Sequence, residues 1–298
     1  KAIKHHLENN GSIFQTTSDS EVLAHLVKKQ RGTFIERLKE SLVYLEGAFA
    51  FLLLLEDELF IALDKHGLRP LSIGKIDNAY VVASETCAFE TIGAKFIRDV
   101  LPGEVIRISE TKMETSNYAI NGKCQLCAME YIYFSRPDSE LLGNNVHAVR
   151  KRCGINLANE APVDADVVIG VPDSGMSSAI GFAEKARIPF ELGIIKNKYI
   201  GRTFIEASQK LRDLGVKLKL SAVRSLIENK NVVLIDDSIV RGTTIIKLVK
   251  MLKVAGAKAV HVRIAAPIIK FPCFYGVDFT TYQELIGAKH KTDAIRVL

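Results

Sequence analysis

The sequence predicts an α/β protein whose second half is built around a mostly parallel sheet. Three observations carry this reading. After residue 123, short β-branched runs alternate with helical stretches, the rhythm of strands joined by helical crossovers. Two of those runs end in loops rich in acids, hydroxyls and glycine, at the edge where open parallel sheets bind ligands. The first third lacks that rhythm and mixes amphipathic helix with strands, which predicts a separate α+β domain.

In chain order, "TTSDSEVLAHLVKK" opens with a capping box, Ser18 and Glu21, and places Val22, Leu23, Leu26 and Val27 on one helical face. "GAFAFLLLLEDELFIALD" predicts two strands joined at the acidic turn Glu56-Asp57-Glu58. "AYVVASETCAFE" and "GEVIRIS" are further strands, the first enclosing Cys87. Ser109 to Lys123 is polar and aperiodic, and predicts a linker between domains at 1–122 and 123–298. Beyond it, "DVVIGV", "PFELGII", "NVVLID" and "AVHVRIA" are the predicted sheet strands. A helix over Thr244 to Ala255 buries Ile245, Leu248, Val249 and Leu252, and Gly256 stops it.

The bulk properties narrow the function. At 298 residues and 48% hydrophobic, the chain has ample material for two cores. A net charge of +6, spread along the sequence, suits an anionic small molecule at least as well as nucleic acid. The longest apolar run, Gly47 to Leu55, is too short to span a bilayer, and the first residues lack the apolar core of a signal peptide. Five cysteines argue against a secreted disulfide framework, so a cytoplasmic protein is expected, binding neither nucleic acid nor membrane.

The chemistry concentrates in "VVLIDDSIVRGTT", residues 232–244. Adjacent carboxylates repel, and burial at a strand end raises the cost, so Asp236 and Asp237 point to a ligand. They are acceptors suited to a vicinal diol or a hydrated metal ion. Gly242, Thr243 and Thr244 lie where the next helix begins, with outward N–H groups and a dipole that favour an anion. A phosphate beside a diol describes a ribose 5-phosphate. Neither a Walker loop nor a dinucleotide fingerprint is present.

This run resembles the phosphoribosyl-pyrophosphate (PRPP) motif of type I phosphoribosyltransferases, and specifically that of the glutamine PRPP amidotransferase family. "CAMEYIYFSRPDSELLG", "EAPVDADVVIGVPDSGMSSAIGFA", "NKYIGRTFIEASQKLRDLGVKLKLSAVR" and "PCFYGVDFTTYQELI" are similar to the same family. Before the linker, "NNGSIFQTTSDSEVLAHL" and "HGLRPLSIG" resemble its glutaminase half. The resemblance implies a type I phosphoribosyltransferase parallel sheet preceded by an incomplete α+β glutaminase domain of the N-terminal-nucleophile type. It assigns Asp236 and Asp237 to the ribose hydroxyls and Mg2+, and Ser238, Arg241, Gly242, Thr243 and Thr244 to the 5-phosphate. Asp173, Ser174 and Gly175 become the pyrophosphate loop, with Ser174 close to the metal.

Lys196 to Arg224 holds eight basic residues against two acids. In the family this segment closes over bound PRPP, which gives ligand-facing roles to Lys196, Lys198, Tyr199, Arg202 and Lys219. Closure would draw on the substrate's charge and keep water from the reacting carbon. The implied reaction is displacement of pyrophosphate from C1 by ammonia, drawn from glutamine or supplied free, to give 5-phosphoribosylamine.

The family's cysteine nucleophile would precede Lys1, so residues 1–298 are expected to use ammonia only. Asp19 matches the position that binds the α-amino group of glutamine, although an acid in a helix's first turn explains it equally well. One branch of the family carries a [4Fe–4S] cluster. Cys127 and Cys273 match two of its four ligands, and the other two would fall beyond Leu298. A homotetramer inhibited by purine nucleotides is implied as well. Two alternatives stand beside the enzyme: a PRPP- or nucleotide-sensing regulator that lost the chemistry, and a transferase for a free base. The regulator lacks a visible DNA-binding module, and the free-base enzyme leaves the first domain unexplained.

Overall fold

The computed structural model describes residues 2–110, 112–119, 123–197, 220–277, 279–291 and 295. They form two units, Lys1–Cys127 and Ala128–Leu298.

In the first unit, helices α1 (Ala2–Asn9), α2 (Glu21–Lys29) and α3 (Phe34–Val43) precede the strands. The main sheet is antiparallel, in the order β1 (Ala50–Leu55), β2 (Glu58–Leu63), β6 (Glu104–Ile108), β7 (Met113–Asn117). A second sheet sets β3 (Ser72–Ile76) between β4 (Ala79–Ala83) and β5 (Lys95–Asp99). The two-residue alternation of β2 and β6 decides the layering. Phe60, Ala62 and Val105 pack with Leu23, Val27, Leu38 and Leu42 of the helices. Ile61, Leu63, Ile106 and Ile108 face the other way, onto Leu71, Ile73 and Val100. Helices, sheet and sheet therefore stack in three layers.

Three local expectations change. Ser18 does not cap α2: the Glu21 carboxylate turns back to accept the N–H groups of Gln15 and Thr16 and the Thr16 hydroxyl. The capping box belongs to α3, between Thr33 and Glu36. The run around Cys87 breaks after Ala83, so Cys87 opens the short helix α4 (Cys87–Ile92) rather than lying in a strand. The polar stretch after Ser109 contains β7, whose pairing with β6 compensates for its weak apolar pattern.

In the second unit, β8 (Glu140–Leu141) and β9 (Asn144–Asn145) form a small antiparallel pair ahead of helix α5 (Val146–Glu160). The central sheet is parallel, with β13 (Asn231–Asp236) between β10 (Val167–Gly170) and β14 (Ala259–Ile264). Ile169 and Leu234 pack on Leu248 and Leu252 of helix α8 (Thr243–Val254). Val168, Val233 and Ile235 face α5 and helix α6 (Met176–Ala186) through Ala158, Ala179 and Phe182. Both faces are thus covered, as parallel sheets require. The predicted strand 189–195 is divided. Phe190 bridges β10, and β11 (Ile194–Lys196) pairs antiparallel with β12 (Leu220–Ala222). A short helix α7 (Arg224–Ile227) leads into β13, and α9 (Ile286–Lys289) follows near the end. Among the described residues no helix is long and apolar enough to cross a membrane.

Helices α5 and α6 touch backbone to backbone. A Cβ on Gly154 would lie 1.9 Å from the Ser178 carbonyl oxygen, and one on Gly181 would lie 2.0 Å from that of Lys151. Neither position admits a side chain unless the helices separate. Gly154→Ala is therefore expected to destabilise the protein by about 3 kcal/mol, at the upper end of overpacking costs. Urea unfolding followed by circular dichroism measures this, and an unchanged midpoint would contradict the crossing geometry.

Candidate functional site

The site is built at the carboxyl end of β13. Four apolar residues, Val232 to Ile235, are fully buried, and the strand's direction then carries Asp236 and Asp237 to its end. Both remain inside the protein, at 8% and 6% exposure. Burial, followed by the neighbouring Asp237 charge, pushes the Asp236 carboxyl up to about 7. Burial raises Asp237 as well, but its surroundings oppose the shift. The hydroxyls of Ser174 and Ser238 donate to it, and the Arg150 guanidinium attracts it. Asp236 Oδ1 accepts the Asp237 N–H at 2.9 Å. The pair is thus asymmetric, with Asp237 the better-supported anion.

Ser174 arrives from the neighbouring strand. Val171 N donates to Ile235 O at 2.9 Å, which ties the loop after β10 to the end of β13. The Pro172–Asp173 peptide is cis. Gly175 is buried against that junction: a Cβ there would sit 2.6 Å from Ile235 O. The predicted loop 173–175 and the predicted aspartates therefore share one site. Lys196, at the end of β11, joins them through Asp173, with Nζ 2.6 Å from Oδ2. Lys198, Tyr199, Arg202 and Lys219 lie outside the described residues.

On the other side of the aspartates, the chain runs through Ser238 to α8. Gly242 caps that helix in the left-handed conformation, at φ 78°. Thr243 and Thr244 form its exposed first turn, where orphan N–H groups and the helix dipole attract anions. Arg241 is half-exposed and donates to Glu284 Oε1 at 2.5 Å, an ion pair that holds the Glu284 carboxyl below its usual range. Asp19 belongs to the first unit, exposed just ahead of α2.

Two residues of this neighbourhood escape the sequence reading. Arg150 is buried on α5, where Nε donates to Tyr131 O at 2.6 Å and Nη2 to Ser135 O at 2.8 Å. With Asp237, Ser178 and Cys153 it lines a small cavity. A signal was available: Val146, Arg150, Gly154 and Ala158 recur every four residues and are the buried face of α5. Glu284 had no local signal, because its partner lies 43 residues away.

The donor set can be tested against the expected metals. Two carboxylates and a hydroxyl suit a hard cation with oxygen ligands. Among the described residues no group of three or more His, Cys, Asp or Glu is arranged to hold a metal ion. Mg2+, which keeps several of its waters and takes substrate phosphate oxygens, is one hard cation compatible with so few protein ligands. Cys127 and Cys273 are two free thiols, against the four thiolates that a [4Fe–4S] cluster takes, so the described residues do not by themselves complete such a site.

Comparison with known proteins agrees with this partition. A glutamine amidotransferase domain model matches residues 1–91, and a phosphoribosyl transferase domain model matches residues 147–273. The chain is 56% identical over 295 residues to an amidophosphoribosyltransferase of Bacillus subtilis, covering 99% of this chain and 62% of that one. Its identity to an amidophosphoribosyltransferase of Staphylococcus aureus is 49% over 298 residues, covering 60% of that protein. Two solved structures superpose with a TM-score of 0.93 at 56% identity, each covering 99% of this chain. One is described as the allosteric regulatory enzyme of purine biosynthesis, of which this chain covers 64%. The other is the glutamine PRPP amidotransferase of B. subtilis complexed with ADP and GMP, of which it covers 65%. The chain thus spans about three fifths of the length of its relatives.

The asymmetry of the aspartates has a pH signature. The folded pKa of Asp236 lies above its unfolded value, so between about pH 4 and pH 7 the folded state binds more protons than the unfolded state. Its burial therefore destabilises increasingly as pH rises through that window. Asp236→Asn retains the acceptor for the Asp237 N–H and removes the charge. Without divalent cations, D236N should be more stable than the parent by on the order of 3 kcal/mol at pH 8, with the gap closing toward pH 4. Urea unfolding at both pH values measures the gap, and a pH-independent difference would overturn the assignment.

Proposed function

We propose that this chain, similar in sequence and fold to amidophosphoribosyltransferases, transfers ammonia to PRPP. The products are 5-phosphoribosylamine and pyrophosphate, in the first committed step of purine synthesis. One observation carries the reading: a buried aspartate pair stands between a helix N-terminus and a serine-bearing loop, and that loop's Ser174 donates to Asp237.

The roles follow from the geometry. Asp236 and Asp237 accept hydrogen bonds from the ribose 2- and 3-hydroxyls and orient the sugar. Ser238 and the loop Arg241 to Thr244 receive the 5-phosphate, using the free N–H groups at the start of α8. The backbone of Asp173 to Gly175 faces the pyrophosphate. As ammonia approaches C1, the C1–N bond forms while the C1–O bond to pyrophosphate breaks, with inversion, and the nitrogen then releases a proton. Charge builds on the leaving oxygen, where preorganised N–H and hydroxyl donors act most strongly. Asp236, Asp237 and Ser174 would hold Mg2+ directly or through water, and the ion would supply further charge neutralisation on the pyrophosphate. Lys196 is drawn from Asp173 to the substrate's phosphates, and the sequence resemblance gives the same duty to Lys198, Tyr199, Arg202 and Lys219. No step passes through an iron–sulfur cluster.

The glutamine amidotransferase match over residues 1–91 supports glutamine as the source of ammonia, with Asp19 at the α-amino group. The relative complexed with ADP and GMP supports binding of purine nucleotides, which the reading takes as inhibitors. A cytoplasmic homotetramer completes the reading.

Magnesium-dependent pyrophosphate release from PRPP, measured with ammonium and separately with glutamine, tests it. Release with ammonium is expected, and Asp237→Asn should lower kcat/KM by about a hundredfold. Silence with both donors, alongside measurable PRPP binding, would transfer support to a nucleotide-sensing regulator.

A further inference from the structure

Arg241 precedes the helix cap at Gly242, so its guanidinium belongs to the loop read above as the 5-phosphate site. Its partner is unusual in being fixed from several directions. Glu284 Oε1 accepts from Arg241, while Glu284 Oε2 accepts the Thr280 N–H at 3.1 Å. The next residue, Leu285, is fully buried. Ile286 N then donates to Val240 O at 2.9 Å, and its Cδ1 would lie 2.9 Å from a Cβ on Gly242. Thus Glu284 and Ile286 meet the phosphate loop at its three residues 240–242, with Leu285 anchoring them between.

We propose that Glu284 is a positioning residue for phosphate binding, acting through Arg241. The inference rests on the 5-phosphate reading of this loop. A guanidinium presents five N–H donors in a rigid fork, so one nitrogen can be held by a carboxylate while the others remain for a phosphate. Holding it removes rotamer freedom that ligand binding would otherwise have to remove. A loosely tethered carboxylate would instead be a counter-ion that competes with phosphate. The Thr280 contact, the buried Leu285 and the Ile286–Val240 hydrogen bond make this one a brace.

Calorimetric titration of the full chain with ribose 5-phosphate tests the proposal, using the parent, Glu284→Ala, Arg241→Ala and the double variant. E284A should weaken binding five- to tenfold and R241A more strongly. The double variant should match R241A alone, because a residue acting through Arg241 adds nothing once Arg241 is gone. Unchanged or tighter binding by E284A overturns the brace, the latter in favour of a competing counter-ion. Additive losses in the double variant overturn it too, since Glu284 would then act independently of Arg241. A parent that fails to bind ribose 5-phosphate overturns the underlying site assignment, an outcome recognisable before any variant is made. Thermal melting reports folding, and Glu284→Leu, which fills the volume but removes the acceptor, substitutes for E284A with the same expected losses should that variant be unfolded.

Discussion

Two carboxylates side by side at the buried end of a strand are the constraint around which the second unit is arranged. Neither solvent nor distance relieves them, so the protein must supply donors and positive charge from elsewhere in the chain. It does so unequally. Ser238 comes from the same loop, Ser174 from the loop after the adjacent strand, and Arg150 from a helix beneath the sheet, and all three act on Asp237. Arg150 can reach that position because α5 lies close to α6, and the close approach depends on paired glycines. A packing detail of two helices is therefore part of the electrostatics of the site.

The two cations flanking this pair are held differently. Lys196 and Asp173 are both well exposed, the kind of ion pair that contributes little and exchanges partners readily. Such a lysine can leave its carboxylate for a multiply charged phosphate at small cost. Arg241 is tied to a carboxylate that is itself anchored, and the anchoring chain segment reaches the loop backbone. One cation is set up to move and the other to stay.

What the sequence made legible was local. The β-branched runs of β10, β13 and β14 and the helical face of α8 announce themselves within a dozen residues, and the aspartate loop is continuous in the chain. The strand β7 could not be read in this way, since its stability comes from the hydrogen-bonding edge of β6 rather than from its own side chains. The helix at Cys87 was hidden because the apolar residues Cys87, Ala88 and Phe89 resume after only three polar residues, Ser84 to Thr86, and so read as one run with "AYVVA". Arg150 resembles one more surface charge in a basic stretch, yet its four-residue spacing with Val146, Gly154 and Ala158 places it on the buried face. Glu284 depended wholly on tertiary structure, as did the division of the 189–195 run between two sheets.

Pairing partners differ widely in how far apart they lie in the chain. The hairpin of β1 and β2 closes across two turn residues, with Leu55 opposite Glu58. The ladder between β10 and β13 joins Val167 to Val232, and the Asn231–Asp166 hydrogen bond beside it spans 65 residues. Loop-closure entropy must be overcome before such a ladder gains anything, whereas a hairpin forms within microseconds. During synthesis, the β1–β2 hairpin can begin to form as soon as its two strands emerge. The aspartate pair, by contrast, stays solvated and unstrained until β10 finds β13, so the electrostatic penalty of the site enters only late in folding, when the surrounding sheet is already in place to bear it.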